Sequence, residues 1–198
     1  MIPIIVINFN KLDALKKSLA SYKKIPDSEV FVLDFGSDYE PLLKYYADMI
    51  NVVYYEKIGS MDEMVKKINE FLDSLDEKFD YYVVTDSDIE LNNPEESLKV
   101  YKQILRRVKD ADVVAPMLKI DDLPNNKYAN EQVKLQKEQF WRHPPKLVGK
   151  YFVTASFVDT TFGLYRKGRF DRLMFGLRVH SPYDARHLDW YDDPVNLT

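Results

Sequence analysis

Short, nearly unbroken apolar runs recur along this chain, and each is followed by a stretch whose apolar residues return at helical spacing. Residues 2–8, IPIIVIN, form the first run, after which Leu12, Leu15 and Leu19 mark one face of a helix. VFVLD at 30–34 reads as a second strand, with a helix over the following YEPLLKYYADM. VVYYE at 52–56 is a third strand, and Met61, Met64, Val65, Ile68 and Leu75 repeat helically behind it. YYVVT at 81–85 is a fourth. Pro94 suits the first turn of the next helix, whose apolar face carries Leu98, Tyr101, Ile104 or Leu105, and Val108. ADVVAPML at 111–118 is a fifth strand. Strands buried on both faces are continuously apolar. The order therefore predicts an α/β fold, a mainly parallel open sheet with helices on both faces. Such a sheet keeps its ligands at the carboxyl ends of its strands.

The pattern breaks after residue 118. The segment 119–150 is polar, rich in proline and only weakly helical near 130–140, and a long insertion of this kind is usually functional. From 151, YFVTASFVDTTFGLYRK reads as one or two strands carrying Asp159. The tail SPYDARHLDWYDDPVNLT is polar and aromatic, and is expected to fold back over the sheet. At 198 residues the chain is long enough for one domain with its own core. No apolar run approaches the roughly 18 residues of a membrane span. MIPIIVINFNK lacks both a preceding basic residue and a small-residue cleavage site, so it reads as a strand rather than a signal peptide. The expectation is a soluble, cytoplasmic protein.

The absence of cysteine excludes disulfides, thiolate catalysis and cysteine-based zinc sites. With three histidines in all, a bound metal is expected to be a hard cation held by carboxylate oxygen. A net charge of −4 argues against a nucleic-acid-coating surface.

At the end of the fourth apolar run the chain delivers Asp86, Ser87 and Asp88. Surface acids at such a point commonly cap the next turn or helix. A calcium loop is excluded, because the sixth position is Leu91 instead of the turn-forming Gly and the twelfth is Ser97 instead of Glu. An aspartyl-phosphate phosphatase of the haloacid dehalogenase type also places Asp-x-Asp after an apolar strand, its first acid the nucleophile. That motif normally follows the first strand, however, and here it follows the fourth. A nucleotide-sugar site is the third reading. There one or two carboxylates on a rigid element hold a divalent cation against a diphosphate, leaving coordination positions open. The small Ser87 lets substrate approach closely.

The chain resembles the GT-A glycosyltransferases, particularly the inverting, family-2-like group. IIVINFNKLDALKKSL is similar to that group's opening strand, which ends in a polar-aromatic-Asn triplet before a helix. VFVLDFGSDYE resembles its second strand and the Asp-Asp-Gly-Ser turn that holds nucleobase and ribose, although Phe35 replaces the second acid. YYVVTDSDIEL is similar to its metal-binding Asp-x-Asp. The likeness covers at least residues 2–118. RHLDWY resembles a segment of some small bacterial and viral sugar transferases. Less specifically, the whole chain looks like the small chlorella-virus-type domains that decorate capsid glycans. A Gly-rich phosphate loop, which sugar nucleotidyltransferases need after the first strand, is missing from NFNKLDALKK.

The resemblance implies a transferase that moves sugar from a nucleoside diphosphate, most simply UDP, to a glycan or glycoprotein hydroxyl. It implies Mn²⁺ or Mg²⁺ held by Asp86, Asp88 and His187. Asn8, Phe9, Asp34 and Gly36 would line the nucleotide pocket together with Asp86 and Ser87. No counterpart of the family's later Glu-Asp pair is visible, and the best substitute is Asp159, a candidate base for the acceptor hydroxyl or an acceptor-binding group. Lys66 and Lys67 read as a solvated face rather than a phosphate site, and Trp141, Arg142 and His143 as insertion surface rather than acceptor contacts. The remaining alternatives are the phosphatase and a nucleotide-sugar-binding module without turnover.

Overall fold

The computed structural model describes residues 1–75 and 79–192. Its parallel half is built from β1 (Ile2–Asn8), β2 (Ser28–Phe35), β3 (Val52–Tyr55) and β4 (Tyr81–Asp86). They are joined by α1 (Asp13–Tyr22), α2 (Glu40–Tyr46) and α3 (Met61–Ser74). A short β5 (Ile89–Leu91) follows, then α4 (Pro94–Arg107) and β6 (Val113–Pro116). The insertion holds α5 (Lys127–Gln136), a π-helical turn over Lys137–Trp141 and β7 (Lys146–Val148). The chain closes with β8 (Tyr151–Val158), β9 (Gly163–Arg166), β10 (Met174–Val179), β11 (Ala185–His187) and a 3₁₀ turn over Leu188–Trp190.

The central sheet runs β3-β2-β1-β4-β9-β6-β10-β8-β7. Seven of these nine strands share one direction, and only β8 and β9 oppose it. The predicted α/β architecture with a mostly parallel open sheet is therefore present. Alternate residues of one strand feed opposite faces: Ile4 and Val6 pack with α1, α2 and α4, whereas Ile5 packs with α3. Both faces being apolar explains why the strand sequences lack polar alternation.

β1, β2, β3, β4 and β6 fall where the five apolar runs place them, with ends shifted by a few residues. α2 is shorter than the segment 39–49 and stops at Tyr46. The strands β5, β7, β10 and β11 carry no clear apolar run. In β10, Gly176 lies opposite Val113, where an added Cβ would stand 2.2 Å from the Val113 carbonyl oxygen. This strand needs a glycine to approach its neighbour, at the cost of sheet propensity. Its Arg178 is 1% exposed, although arginine is rarely buried without partners.

The helix ends are tied down locally. Ser60 accepts from the Glu63 amide, and the Glu63 carboxylate accepts from the Gly59 amide, a reciprocal cap for α3. Beyond α4, Arg166 of β9 donates to the carbonyls of Leu105, Val108 and Ala111. Late strand β9 is thereby fastened to the end of α4, between β4 and β6.

Candidate active site

The carboxyl ends of β1, β2 and β4 meet at one edge of the sheet, as the strand register requires. Beyond β1, Asn10 adopts a left-handed conformation at φ 54, which asparagine tolerates better than most residues. Its side chain accepts from the amides of Asp38 and Tyr39 and donates to Asp38, while its own amide donates to Ser37 Oγ. The loops after β1 and β2 are stitched together in this way.

Beneath that rim lies a buried polar network. Asp34 accepts from the Ser37 amide and hydroxyl and from the Tyr46 hydroxyl at 3.0 Å. The Tyr46 hydroxyl in turn accepts from Asn8 Nδ2 at 2.6 Å. Burial, with Asp34 beside it, holds the Tyr46 hydroxyl far above the usual phenol range. Asn8 and Asp34 are each 1% exposed. Both stand at the predicted edge, but their side chains brace the loops instead of lining an open pocket. Gly36 has φ +84 and an added Cβ would lie 2.6 Å from the Lys57 amide nitrogen, so it is required by conformation and by space. Phe9, by contrast, is exposed, with the Lys57 ammonium 5.4 Å from its ring centre. It lines an open cleft of about 1020 Å³ together with Asn10, Lys11, Asp38, Tyr39 and Asp189.

The two carboxylates of Asp86-Ser87-Asp88 point to different partners. Asp86 donates its amide to the Thr160 carbonyl and accepts at Oδ2 from the Thr160 hydroxyl, both at 2.7 Å. Withdrawal from water and the nearby charge of Asp88 push its carboxyl up to about 7, against the pull of that hydroxyl. Ser87 is buried between the two acids. Asp88 is 1% exposed, and its Oδ2 lies 2.7 Å from Lys11 Nζ and 3.5 Å from His187 Nδ1. Burial works against its charge, but His187 and Lys11 outweigh burial and hold the carboxyl below the usual range.

His187 arrives through the tail. β11 pairs antiparallel with β5, setting His187 opposite Ile89, and the Leu188 amide donates to the Asp88 carbonyl. The imidazole stacks on Trp190 at 4.7 Å with an interplanar angle of 1°, which fixes its plane. Burial lowers its pKa, against the opposing pull of the Asp88 and Asp189 charges. Packing of this histidine is compatible with its expected ligand role, because the stacked ring places Nδ1 3.5 Å from Asp88 Oδ2. Lys11 also bonds to Asp189 Oδ2. Neither Lys11 nor Asp189 stands out in the sequence, since one lies in a polar loop and the other in an acidic tail.

A hard divalent cation fits this chemistry. Asp88 Oδ1 and His187 Nδ1 are buried without a hydrogen-bond partner among the described residues. Such atoms are costly unless they are used. A cation, the Lys11 ammonium, already lies where Asp88 and Asp189 converge. No group of three or more acidic or histidine side chains is preformed around one metal position among the described residues. Asp86, turned to Thr160, is not part of the Lys11 cluster.

Asp159 follows β8 in a loop, not within the strand. Its Oδ1 accepts from Thr161 Oγ1 at 2.8 Å and Arg178 Nη2 at 3.2 Å. The side chain is 46% exposed and opens into a second cleft of about 530 Å³, also lined by Phe140, Ser156 and Arg178. Adjacent Thr160 contacts Asp86, so the candidate base and the Asp-x-Asp pair share one junction. Phe140, from the π-helical turn, covers the Arg178 guanidinium at 4.5 Å. Lys66 and Lys67 pair with Glu70 on an exposed helix face. Trp141 packs edge-on against His180, and Arg142 and His143 stay exposed, although both border the Asp159 cleft.

No protein-family model matches the sequence, and no curated protein matches it. Solved structures of S. aureus TarS are similar. The one of residues 1–349 superposes with a TM-score of 0.48 at 18% identity, over 83% of this chain and 46% of that one. The same span in complex with UDP-GlcNAc gives 0.48 at 20% identity, over 83% and 45%. S. aureus TarS itself gives 0.47 at 17% identity, over 83% and 28%. This chain thus spans less than half the length of the structures it is similar to. Among the described residues, no helix is long and apolar enough to cross a membrane.

Proposed function

We propose that this chain is a metal-dependent glycosyltransferase that takes sugar from a nucleoside diphosphate, UDP in the first instance, and passes it to a hydroxyl of a glycan or glycoprotein. Residues 1–118 form the donor-binding half, and 119–198 the acceptor side. The carrying observation is the buried Asp88–His187 pair, with unpartnered ligand atoms, beside a large open cleft at the carboxyl ends of parallel strands.

Mn²⁺ or Mg²⁺ held by Asp88 and His187, with Asp189 within reach, would supply charge neutralisation for a departing diphosphate. The rest of the work falls to side chains of this chain. Phe9 offers an exposed ring for a nucleobase to stack on, at the mouth of a rim that Asn8, Asp34 and Gly36 hold rigid. Asp86 anchors the Asp159–Thr161 loop through Thr160, and this fixes the distance between donor and acceptor sides. Asp159 is oriented by Thr161 and Arg178 through Oδ1, and its other oxygen is the one that takes the acceptor hydroxyl's proton.

The test is calorimetric titration of UDP and GDP, with and without Mn²⁺, on wild type and Asp88→Ala. Metal-dependent UDP binding that disappears in the variant is the expected result. A wild type that binds neither nucleotide under any condition overturns the reading.

A further inference from the structure

The cation position of this site is occupied by a side chain of the protein. Lys11 Nζ is 2.7 Å from Asp88 Oδ2 and bonds Asp189 Oδ2 as well. Its backbone has little freedom, because Asn10 is held by Ser37, Asp38 and Tyr39 on one side. On the other, α1 begins at once, with the Lys16 amide donating to the Leu12 carbonyl. The four-carbon stem is the movable part, and it is 39% exposed on the wall of the 1020 Å³ cleft.

Asp88 is almost fully buried, and the Lys11 ammonium at 2.7 Å is the cation nearest to it among the described residues. Among those residues Asp88 Oδ1 and His187 Nδ1 are free to take a metal, whereas Asp88 Oδ2 and Asp189 Oδ2 are held by Lys11. An ammonium and a divalent cation on one carboxylate group repel strongly, so a metal that draws on Asp189 as well must displace Lys11. The displaced ammonium remains tethered three positions beyond Asn8, the last residue of β1, and the space open to it is the cleft.

We propose that Lys11 couples cation binding to donor binding: it holds the Asp88–Asp189 seat until a divalent cation takes it, and then swings into the cleft to meet the donor's diphosphate. This rests on the donor-site reading above and adds a positioning residue to it. Diphosphate supplies the counter-charge that the ejected ammonium loses, so metal and nucleotide each raise the other's affinity. Lysine suits the task, since it is a compact point charge on a flexible stem.

The experiment is Mn²⁺ titration by electron paramagnetic resonance, with and without UDP, on wild type, Lys11→Met and Lys11→Gln. UDP should raise wild-type Mn²⁺ affinity by about 10-fold or more. Either uncharged variant should bind Mn²⁺ about 10-fold more tightly than wild type without UDP, and should lose most of the UDP effect. Lys11→Gln, which keeps a polar tip, carries the test if Lys11→Met does not fold. Unchanged or weaker Mn²⁺ binding in the folded variant, with metal-dependent UDP binding intact in wild type, overturns the coupling role and leaves the donor site standing. Failure of wild type to bind Mn²⁺ and UDP at all overturns both.

Discussion

Removing the Tyr46 hydroxyl by Tyr46→Phe cuts the network under the cleft rim without changing the shape of the ring. The hydroxyl donates to Asp34 Oδ2 at 3.0 Å and accepts from Asn8 Nδ2 at 2.6 Å, and all three residues are about 1% exposed. Losing a hydrogen bond to a charged group is worth about 1.5–3 kcal/mol, and stranding a buried donor about 1–3 kcal/mol. Asn8 Oδ1 is already buried without a partner, so the amide would then be unsatisfied at both ends. Relief from burying the phenol oxygen offsets part of the sum. The Ser37 amide and hydroxyl still hold Asp34. The expected net loss is about 3 kcal/mol, a fall of roughly 6–12 °C in Tm for a chain of this size. Urea denaturation should show a lower midpoint at an unchanged slope. Adding Asn8→Leu to the variant should recover part of the loss, since removing both partners of a buried bond costs less than removing one. A loss below about 1 kcal/mol, or no recovery in the double variant, would refute the view that this network is dry and supports the rim.

Gly36→Ala places a Cβ 2.6 Å from the Lys57 backbone nitrogen at φ +84, and is expected to cost at least about 2 kcal/mol by chemical denaturation; a neutral substitution would mean that β2 and the 56–58 loop separate freely. Asp122 accepts from Tyr191, Arg186 and Lys119, which together overcome burial and lower its carboxyl from 3.8 to about 2. A carboxyl lowered on folding stabilises above its unfolded pKa, and that support disappears as pH falls through 3.8 towards about 2. Asp122→Asn should accordingly be less stable than wild type near neutral pH, with the gap closing over that window. Urea midpoints that differ equally at about pH 2 and about pH 6 would contradict this assignment.

Residues 2–8 and 81–85 were legible as strands because their side chains are buried on both faces, and one apolar run has one low-energy solution between two helix layers. The Asp86-Ser87-Asp88 motif was legible for a related reason, since carboxylates at the end of such a run reach the edge where parallel strands stop. β10 was not legible. Its Gly176 is explained only by Val113 on the neighbouring strand, and its Arg178 only by Asp159, Thr161, the Pro116 carbonyl and the Phe140 ring. The insertion read as weakly helical near 130–140. It forms α5 and a π-helical turn whose Phe140 closes over that arginine.

Among the site residues, the sequence by itself determined which acids end the core strands and that cysteine chemistry is excluded. Those properties depend on residue type and on local periodicity, which survive in any fold with these strands. Only the tertiary structure decided that Asp86 serves Thr160 while Asp88 serves Lys11 and His187. It likewise gave the buried Asp34 its partners, Ser37 and the Tyr46 hydroxyl. These outcomes depend on contacts between segments far apart in the chain, such as β11 on β5 and the loop after β1 on the loop after β2. Long-range pairing and burial assign partners to polar atoms, and neither leaves a periodic trace in the sequence.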